Sequence, residues 1–216
     1  MLSQRLIIRL LPLEVLFIGG FLIGWTIYQM PVQPELSLAP QISAPAETIP
    51  HSGLSPIFTP EVQSWADKIV DWAARYQLDP NLVATVMQIE SCGWSSAVSS
   101  SNAQGLFQVM PFHFAPDEPM QDPDTNAQRG LAYLALGLTR AGGDVRKALA
   151  GYNGGHSQIG RVSSLWPAQT QRYAYWGAGI HAEAASGQAV SPRLQEWLQA
   201  GGASLCARAA QSLGRQ

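Results

Sequence analysis

The sequence predicts a predominantly all-α domain, and three observations carry that prediction. Apolar residues recur at three- and four-residue spacing in several segments between positions 61 and 213. Asp79-Pro80 and Asp144 stand where two of those segments begin, as helix caps do. No run of alternating β-branched residues marks a strand.

The chain opens with a different kind of helix. Leu10 to Met30 is almost uninterrupted apolar sequence, with Glu14 its only charge. Twenty-one residues rise roughly 30 Å as a helix, about the thickness of a bilayer core. Residues 1–30 are therefore expected to form a transmembrane signal anchor. Arg5 and Arg9 precede the apolar run and the next basic residue is Lys68. That asymmetry puts the N-terminus in the cytoplasm and the remainder outside. Glu14 would lie near the cytoplasmic end, where its cost is smallest. A retained anchor is favoured over a cleaved signal, because the one A-x-A-like site, Ala44-Pro45-Ala46, lies well beyond the apolar run.

Residues 31–60 read as a linker, with seven of the 15 prolines and only two charges, Glu35 and Glu47. Proline fixes φ and removes a donor, so this stretch should be extended and semi-rigid. At about 3.1 Å per residue it would hold a domain up to roughly 90 Å from the membrane.

Residues 61–216 are expected to form the globular domain. Glu61 to Tyr76 is an amphipathic helix, with Trp65, Ile69, Trp72 and Ala73 on one face. Asp79 caps the next helix, which runs from Pro80 to Glu90. Ser95 to Asn102 is polar and reads as a loop, and Leu106 to Met110 as a short helix stopped by Pro111. Asp124 to Thr139 carries Leu131, Leu134, Ala135 and Leu138 at helical spacing. Asp144 starts a helix ending at the glycines around Tyr152-Asn153. A last helix runs from Pro192 to Leu213, broken at Gly201-Gly202.

The length of 216 residues suits one ordinary domain behind the anchor. A net charge of -2 offers no electrostatic footprint for nucleic acid. His113 and His156 lack metal-ligand spacing, so neither a metal nor a cofactor is expected. Trp65, Trp72, Trp94, Trp166, Trp176 and Trp197 read as core.

Glu90 stands out. Val83, Val86 and Met87 lie seven, four and three residues before it and share its helical face. A carboxyl that continues an apolar stripe should be partly desolvated. Desolvation raises its pKa and suits it to act as a general acid near neutrality.

Glu90-Ser91, the run from Ala103 to Pro111, and Tyr152-Asn153-Gly154-Gly155 resemble successive motifs of the lytic transglycosylases of the goose-lysozyme-like, soluble-lytic-transglycosylase type. The segment Asp122 to Asn126, with Gly130 and Tyr133, is similar to that family's following helix, and Thr170 and Tyr173 to its last motif. The resemblance spans roughly Trp65 to Trp176. Three positions depart from the family pattern: Gln169 replaces the usual Glu, Phe107 the usual Met, and Gly151 the usual Ala.

The resemblance implies a lysozyme-like helical domain acting on peptidoglycan glycan strands. Glu90 would protonate the oxygen of the β-1,4 bond between N-acetylmuramic acid and N-acetylglucosamine. The muramyl N-acetyl oxygen would attack the anomeric carbon. Glu90, now a base, would take the C6 hydroxyl proton as a 1,6-anhydro ring closes. Substrate assistance is how a glycosidase works with one carboxylate. Ser91, Gln108, Tyr152, Asn153 and Tyr173 are the expected substrate contacts, and Ser91 is also expected to brace the end of the Glu90 helix. Gln108 and Asn153 can donate and accept, and the tyrosines add stacking area and a hydroxyl. A hydrolytic muramidase on the same fold stays open, with Asp117, Glu118, Asp122 or Asp124 as the second acid. A non-catalytic glycan-binding module is the third reading.

Cys92 and Cys206 are the only cysteines. Outside the cytoplasm an even count suggests a disulfide, tying the C-terminal helix to the end of the Glu90 helix. Two buried free thiols are the other reading.

Overall fold

The structure is a computed structural model that describes residues 53–214. The anchor at 1–30 and the linker up to residue 52 lie outside the described residues. Among the described residues no helix is long and apolar enough to cross a membrane.

Eight α-helices follow one another: α1 Pro60–Gln63, α2 Ala66–Tyr76, α3 Pro80–Glu90, α4 Pro123–Arg140, α5 Val145–Gly154, α6 Ala168–Ala185, α7 Pro192–Trp197 and α8 Ala203–Leu213. Among the described residues the β pairing is two isolated bridges between α3 and α4, Val98 with Gln104 and Gln104 with Val109. Predominantly helical architecture is what the spacing predicted.

The folded body starts earlier than the sequence suggested. Ile57 and Phe58, placed in the linker, are buried, and the Thr59 amide donates to Gln88 Oε1 at 3.1 Å. Two adjacent apolar side chains favour the core over water, and this outweighs the linker-like composition around them. The helix expected over 61–76 is two helices. A break at Ser64-Trp65 lets Trp65 donate to the Gly93 carbonyl at 2.9 Å, while Ile69, Trp72 and Ala73 stay buried.

The helix carrying Glu90 is central. Leu82 to Gln88 are all buried, so α3 is covered on every side rather than along one stripe. It packs on α2 and on α6. Asp79 caps it by accepting from the Asn81 amide at 2.8 Å, and His181 of α6 lies 2.8 Å from the other Asp79 oxygen. The His181 hydrogen bond holds the Asp79 carboxyl below its ordinary range.

Helix α6 was not anticipated as an element. Its apolar residues form no clean stripe, because glycines and alanines are scattered through it. It nonetheless packs on α3, α5 and α7, its small residues letting those helices approach. Leu106 to Met110 is a turn and not the expected short helix: Gln104 and Val109 exchange backbone hydrogen bonds at 2.9 Å in each direction. The C-terminal helix is interrupted where expected, at Gly201, whose φ of 127° no L side chain adopts readily.

Cys92 and Cys206 are joined by a disulfide, with Cα atoms 5.1 Å apart. It ties α8 to the first residues after α3. Gln88 Nε2 lies 3.0 and 3.4 Å from the two sulfurs. Glu61 stands close enough to both cysteines to complete a metal-sized group, but their sulfurs are bonded to each other.

Candidate active site

Two adjoining pockets meet at Asn153. One, of about 370 Å³, is lined by Glu90 with Gln169, Tyr173, Trp176 and Trp197. The other, of about 170 Å³, is lined by Gln108, Met110, Phe112, His113, Tyr133 and Tyr152. Helices α3, α5, α6 and α7 supply the first, and the segment after α3 with α4 and α5 supplies the second. Asn153 is the wall residue that the two have in common, and the groove is the two pockets together.

Glu90 is the last residue of α3 and keeps partial contact with solvent through the groove. Its surroundings nonetheless raise its pKa to about 7. Burial is the larger cause, and the neighbouring Tyr173 hydroxyl pulls the other way. The negative end of the helix dipole acts in the same direction as burial.

The two tyrosines face this acid. Tyr173 is buried, and its hydroxyl, although beside Glu90, closes no hydrogen bond of normal geometry. The Tyr152 hydroxyl donates to the Phe107 carbonyl at 2.7 Å. Burial, and then the nearby Glu90, push both phenols well above their ordinary pKa. Both therefore keep their protons at neutral pH. A buried donor without a partner, aimed beside an acid, is a ready contact for an incoming oxygen.

Gln108 holds a left-handed backbone, φ 46°, which is strained for a residue with a side chain. Its Nε2 donates to the Gly105 and Ala97 carbonyls at 3.0 and 3.2 Å, and the residue lines the smaller pocket. Asn153 Oδ1 accepts from the buried Thr170 hydroxyl at 3.0 Å, so the last two motifs meet here.

Ser91 keeps its expected bracing role and loses the expected substrate contact. It is fully buried and cannot touch a ligand. Its Oγ donates to the Leu106 carbonyl at 2.7 Å and accepts from the Gly93 amide at 3.1 Å. The hydroxyl pins the 104–109 turn to the end of α3, a bracing role that needs burial.

Asn126 was not singled out as a site residue, yet it organises the same turn. Its Oδ1 accepts from the Phe107 amide, and its Nδ2 donates to the Gln104 and Met120 carbonyls, each at 2.8 Å. Gly105, with φ 73°, makes this possible: a Cβ there would stand 2.5 Å from Asn126 Nδ2. Replacing Asn126 by Ala should cost about 2–4 kcal/mol, from three hydrogen bonds and the backbone groups they leave unpaired. Urea unfolding measures it, and a loss below about 1 kcal/mol would mean that water or backbone relaxation replaces those bonds.

The three departures from the family pattern now have physical settings. Phe107 is core, edge-on to Trp72 at 5.9 Å. At Gly151 an added Cβ would meet Ile159 at 2.7 Å, so the missing methyl makes room for that side chain. Gln169 lines the Glu90 pocket as a neutral amide.

The carboxylates weighed as a second acid lie elsewhere. Glu118 pairs with Arg129, Asp122 caps α4 and Asp124 pairs with Lys68. Neither these nor Asp117 lines either pocket, whereas Glu90 does. Trp197, read as core, is buried in the core and Trp176 packs against it, and both also stand in the Glu90 pocket wall. Periodicity could not separate those two uses of tryptophan.

Comparison with known proteins follows the same residues. The profile of the transglycosylase SLT domain family matches residues 67–174. A transglycosylase of Enterobacteria phage PRD1 is 39% identical over 114 residues, covering 50% of this chain and 40% of its own. A membrane-bound lytic murein transglycosylase C of Yersinia pestis is 32% identical over 110 residues, covering 42% of this chain and 31% of its own. The chain thus spans less than half the length of these relatives. A solved structure of the lytic transglycosylase Slt from Pseudomonas aeruginosa aligns with a TM-score of 0.47 and 21% identity, covering 56% of this chain and 24% of that one.

Proposed function

Because the chain belongs to the transglycosylase SLT domain family, we propose that it is a peptidoglycan lytic transglycosylase in which Glu90 acts first as acid and then as base. The observation that carries the mechanism is that Glu90 is the single carboxylate lining either pocket. A hydrolase with two acids needs a second one across the bond to activate water or to form a covalent adduct. With Gln at 169 and no other acid in the groove walls, the sugar's own N-acetyl oxygen is the available nucleophile.

The reaction then runs as a proton circuit. Glu90, whose pKa burial raises to about 7, in its acid form gives its proton to the β-1,4 glycosidic oxygen as that bond to N-acetylmuramic acid breaks. The N-acetyl oxygen closes on the anomeric carbon to give an oxazolinium. The carboxylate left behind takes the proton of the C6 hydroxyl, whose oxygen displaces the N-acetyl oxygen. Glu90 is reset and no water is consumed. Tyr173, a buried hydroxyl beside Glu90, orients the N-acetyl group. Gln108, Tyr152 and Asn153 hold hydroxyls and amides along the strand.

Two of the relatives, from Buchnera aphidicola and Yersinia pestis, are named membrane-bound lytic murein transglycosylases. With the apolar N-terminal segment, this supports a membrane-anchored enzyme working on the wall side of the membrane. Mass spectrometry of products from purified sacculi tests the chemistry. The expected strands end in 1,6-anhydromuramic acid, lighter by one water than a reducing end. Reducing ends alone would make the protein a muramidase and overturn the single-carboxylate mechanism.

A further inference from the structure

The segment after α6 lies beyond residues 67–174, the stretch that the family profile matches, yet it reaches the acid. Trp197, at the end of α7, and Ala200, in the turn that follows, line the same pocket as Glu90. Residues 198–202 form one π-helical turn between α7 and α8, with Gly201 at φ 127°. Single π turns inside helices often mark functional sites. This one lays the Trp197 ring against its own backbone: a Cβ on Gly202 would stand 2.4 Å from ring atom Cε3. Trp197 is only 6% exposed and shares a core with Leu194 and Cys206. Cys206, in the first turn of α8, is bonded to Cys92, two residues beyond Glu90. The segment is thus fastened to the end of the acid's own helix.

Few charged groups surround the acid. Helix α3 carries no other charged residue. Helix α5 brings Tyr152, and α6 brings Tyr173 and, in the pocket wall, the exposed Arg172. Arg193 and Glu196 of α7 pair with each other. Among the described residues no ion pair includes Glu90. Its charge is therefore governed chiefly by access of water. A carboxyl against apolar surface holds its proton to higher pH because water no longer solvates the anion. The apolar part of this wall is Ile89, Trp176, Trp197 and Ala200. Of these, Trp197 is the large buried side chain that comes from outside the family's motifs.

We propose that Trp197 is a positioning residue of the reaction: its indole, set in place by the π turn, keeps water off the Glu90 carboxyl and so keeps the acid form available. This role rests on Glu90 being the acid of the function proposed above. It extends the working parts of the site past the last motif at Thr170 and Tyr173.

The readout is a pH profile of the rate at which the full chain releases soluble products from purified sacculi. Trp197→Ala should admit water, favour the carboxylate, and move the alkaline limb from about 7 towards the ordinary 4.5. A move of about one unit lowers the rate near pH 7 about fivefold and leaves the rate near pH 5 almost unchanged. Trp197→Phe keeps an aromatic cover and should keep the parental limb. Gly202→Ala alters no residue of the pocket wall, yet it should displace the ring and move the limb in the same direction as Trp197→Ala. A rate lowered equally at every pH, with the limb in place, would make Trp197 a merely structural residue and overturn the proposal. If Trp197→Ala does not fold, Trp197→Leu and Gly202→Ala are read in the same way, and an unmoved limb in both overturns it. Glu90→Gln separates this role from the reading beneath it. Parental digestion by Glu90→Gln would remove the acid and this role together, whereas an inactive Glu90→Gln with an unmoved limb in Trp197→Ala removes the role of Trp197 alone.

Discussion

Glu90→Gln should lower glycan cleavage about 10²–10⁴-fold, the usual contribution of a positioned general acid, while the thermal midpoint is kept or raised. The amide has nearly the shape of the acid, so the walls made by Tyr173, Trp176 and Trp197 have no reason to move. What disappears is the proton. The same group sets the pH dependence. With a pKa raised to about 7 by burial, the acid form is abundant below neutrality and lost above it, so kcat/KM should fall on the alkaline side of about 7. The stability sign follows from the same shift. The folded state holds this proton more tightly than the unfolded chain, whose ordinary value is 4.5. Stability from this group is therefore full below that value and declines as pH rises towards 7. Glu90→Gln should flatten that slope. A variant that digests sacculi at the parental rate would remove Glu90 from the chemistry.

Removing the disulfide should have the largest effect on stability. The bond between Cys92 and Cys206 spans 114 positions, and a native disulfide of a small extracytoplasmic domain commonly contributes about 2–5 kcal/mol. The double variant Cys92→Ser, Cys206→Ser should melt lower, by roughly 2–4 °C for each kcal/mol lost. Differential scanning calorimetry with and without reductant measures it. Cys92 is two residues beyond the acid and has a positive φ of 52°, and Trp197 of the pocket wall ends α7, which residues 198–202 join to α8. Activity at temperatures well below melting should therefore fall as well. A melting point within about 1 °C of the parent would show that packing alone seats α8.

Much of the site was legible because its signals are local. Asp79 before Pro80 announces a helix start, and the structure shows the cap. The apolar residues three, four and seven positions before Glu90 announce its burial, and all three are buried. Asp144 caps α5, which delivers Tyr152 and Asn153 to the groove. Other features were not legible. The 104–109 turn reads as helix from its apolar residues, yet its shape comes from Gly105 in a left-handed backbone and from Asn126 on another helix. Helix α6 has no stripe, because small residues on several faces let neighbouring helices close on it. Trp197 looks like one more core tryptophan until its place in the acid's pocket is seen.

The sequence by itself determined that this is a helical chain with an acid at the end of an apolar helix, followed by the family's motifs in order. Periodicity and caps are settled within about four residues of chain, so they survive in one dimension. Only the tertiary structure decided which side chains share the acid's pocket. It placed Asp117, Glu118, Asp122 and Asp124 outside the groove walls, brought Tyr173 beside Glu90, and turned Ser91 inward as a brace. Desolvation is the physical reason. A carboxyl's pKa depends on how much water is excluded around it, and here that exclusion is made by helices distant in the chain, packed together.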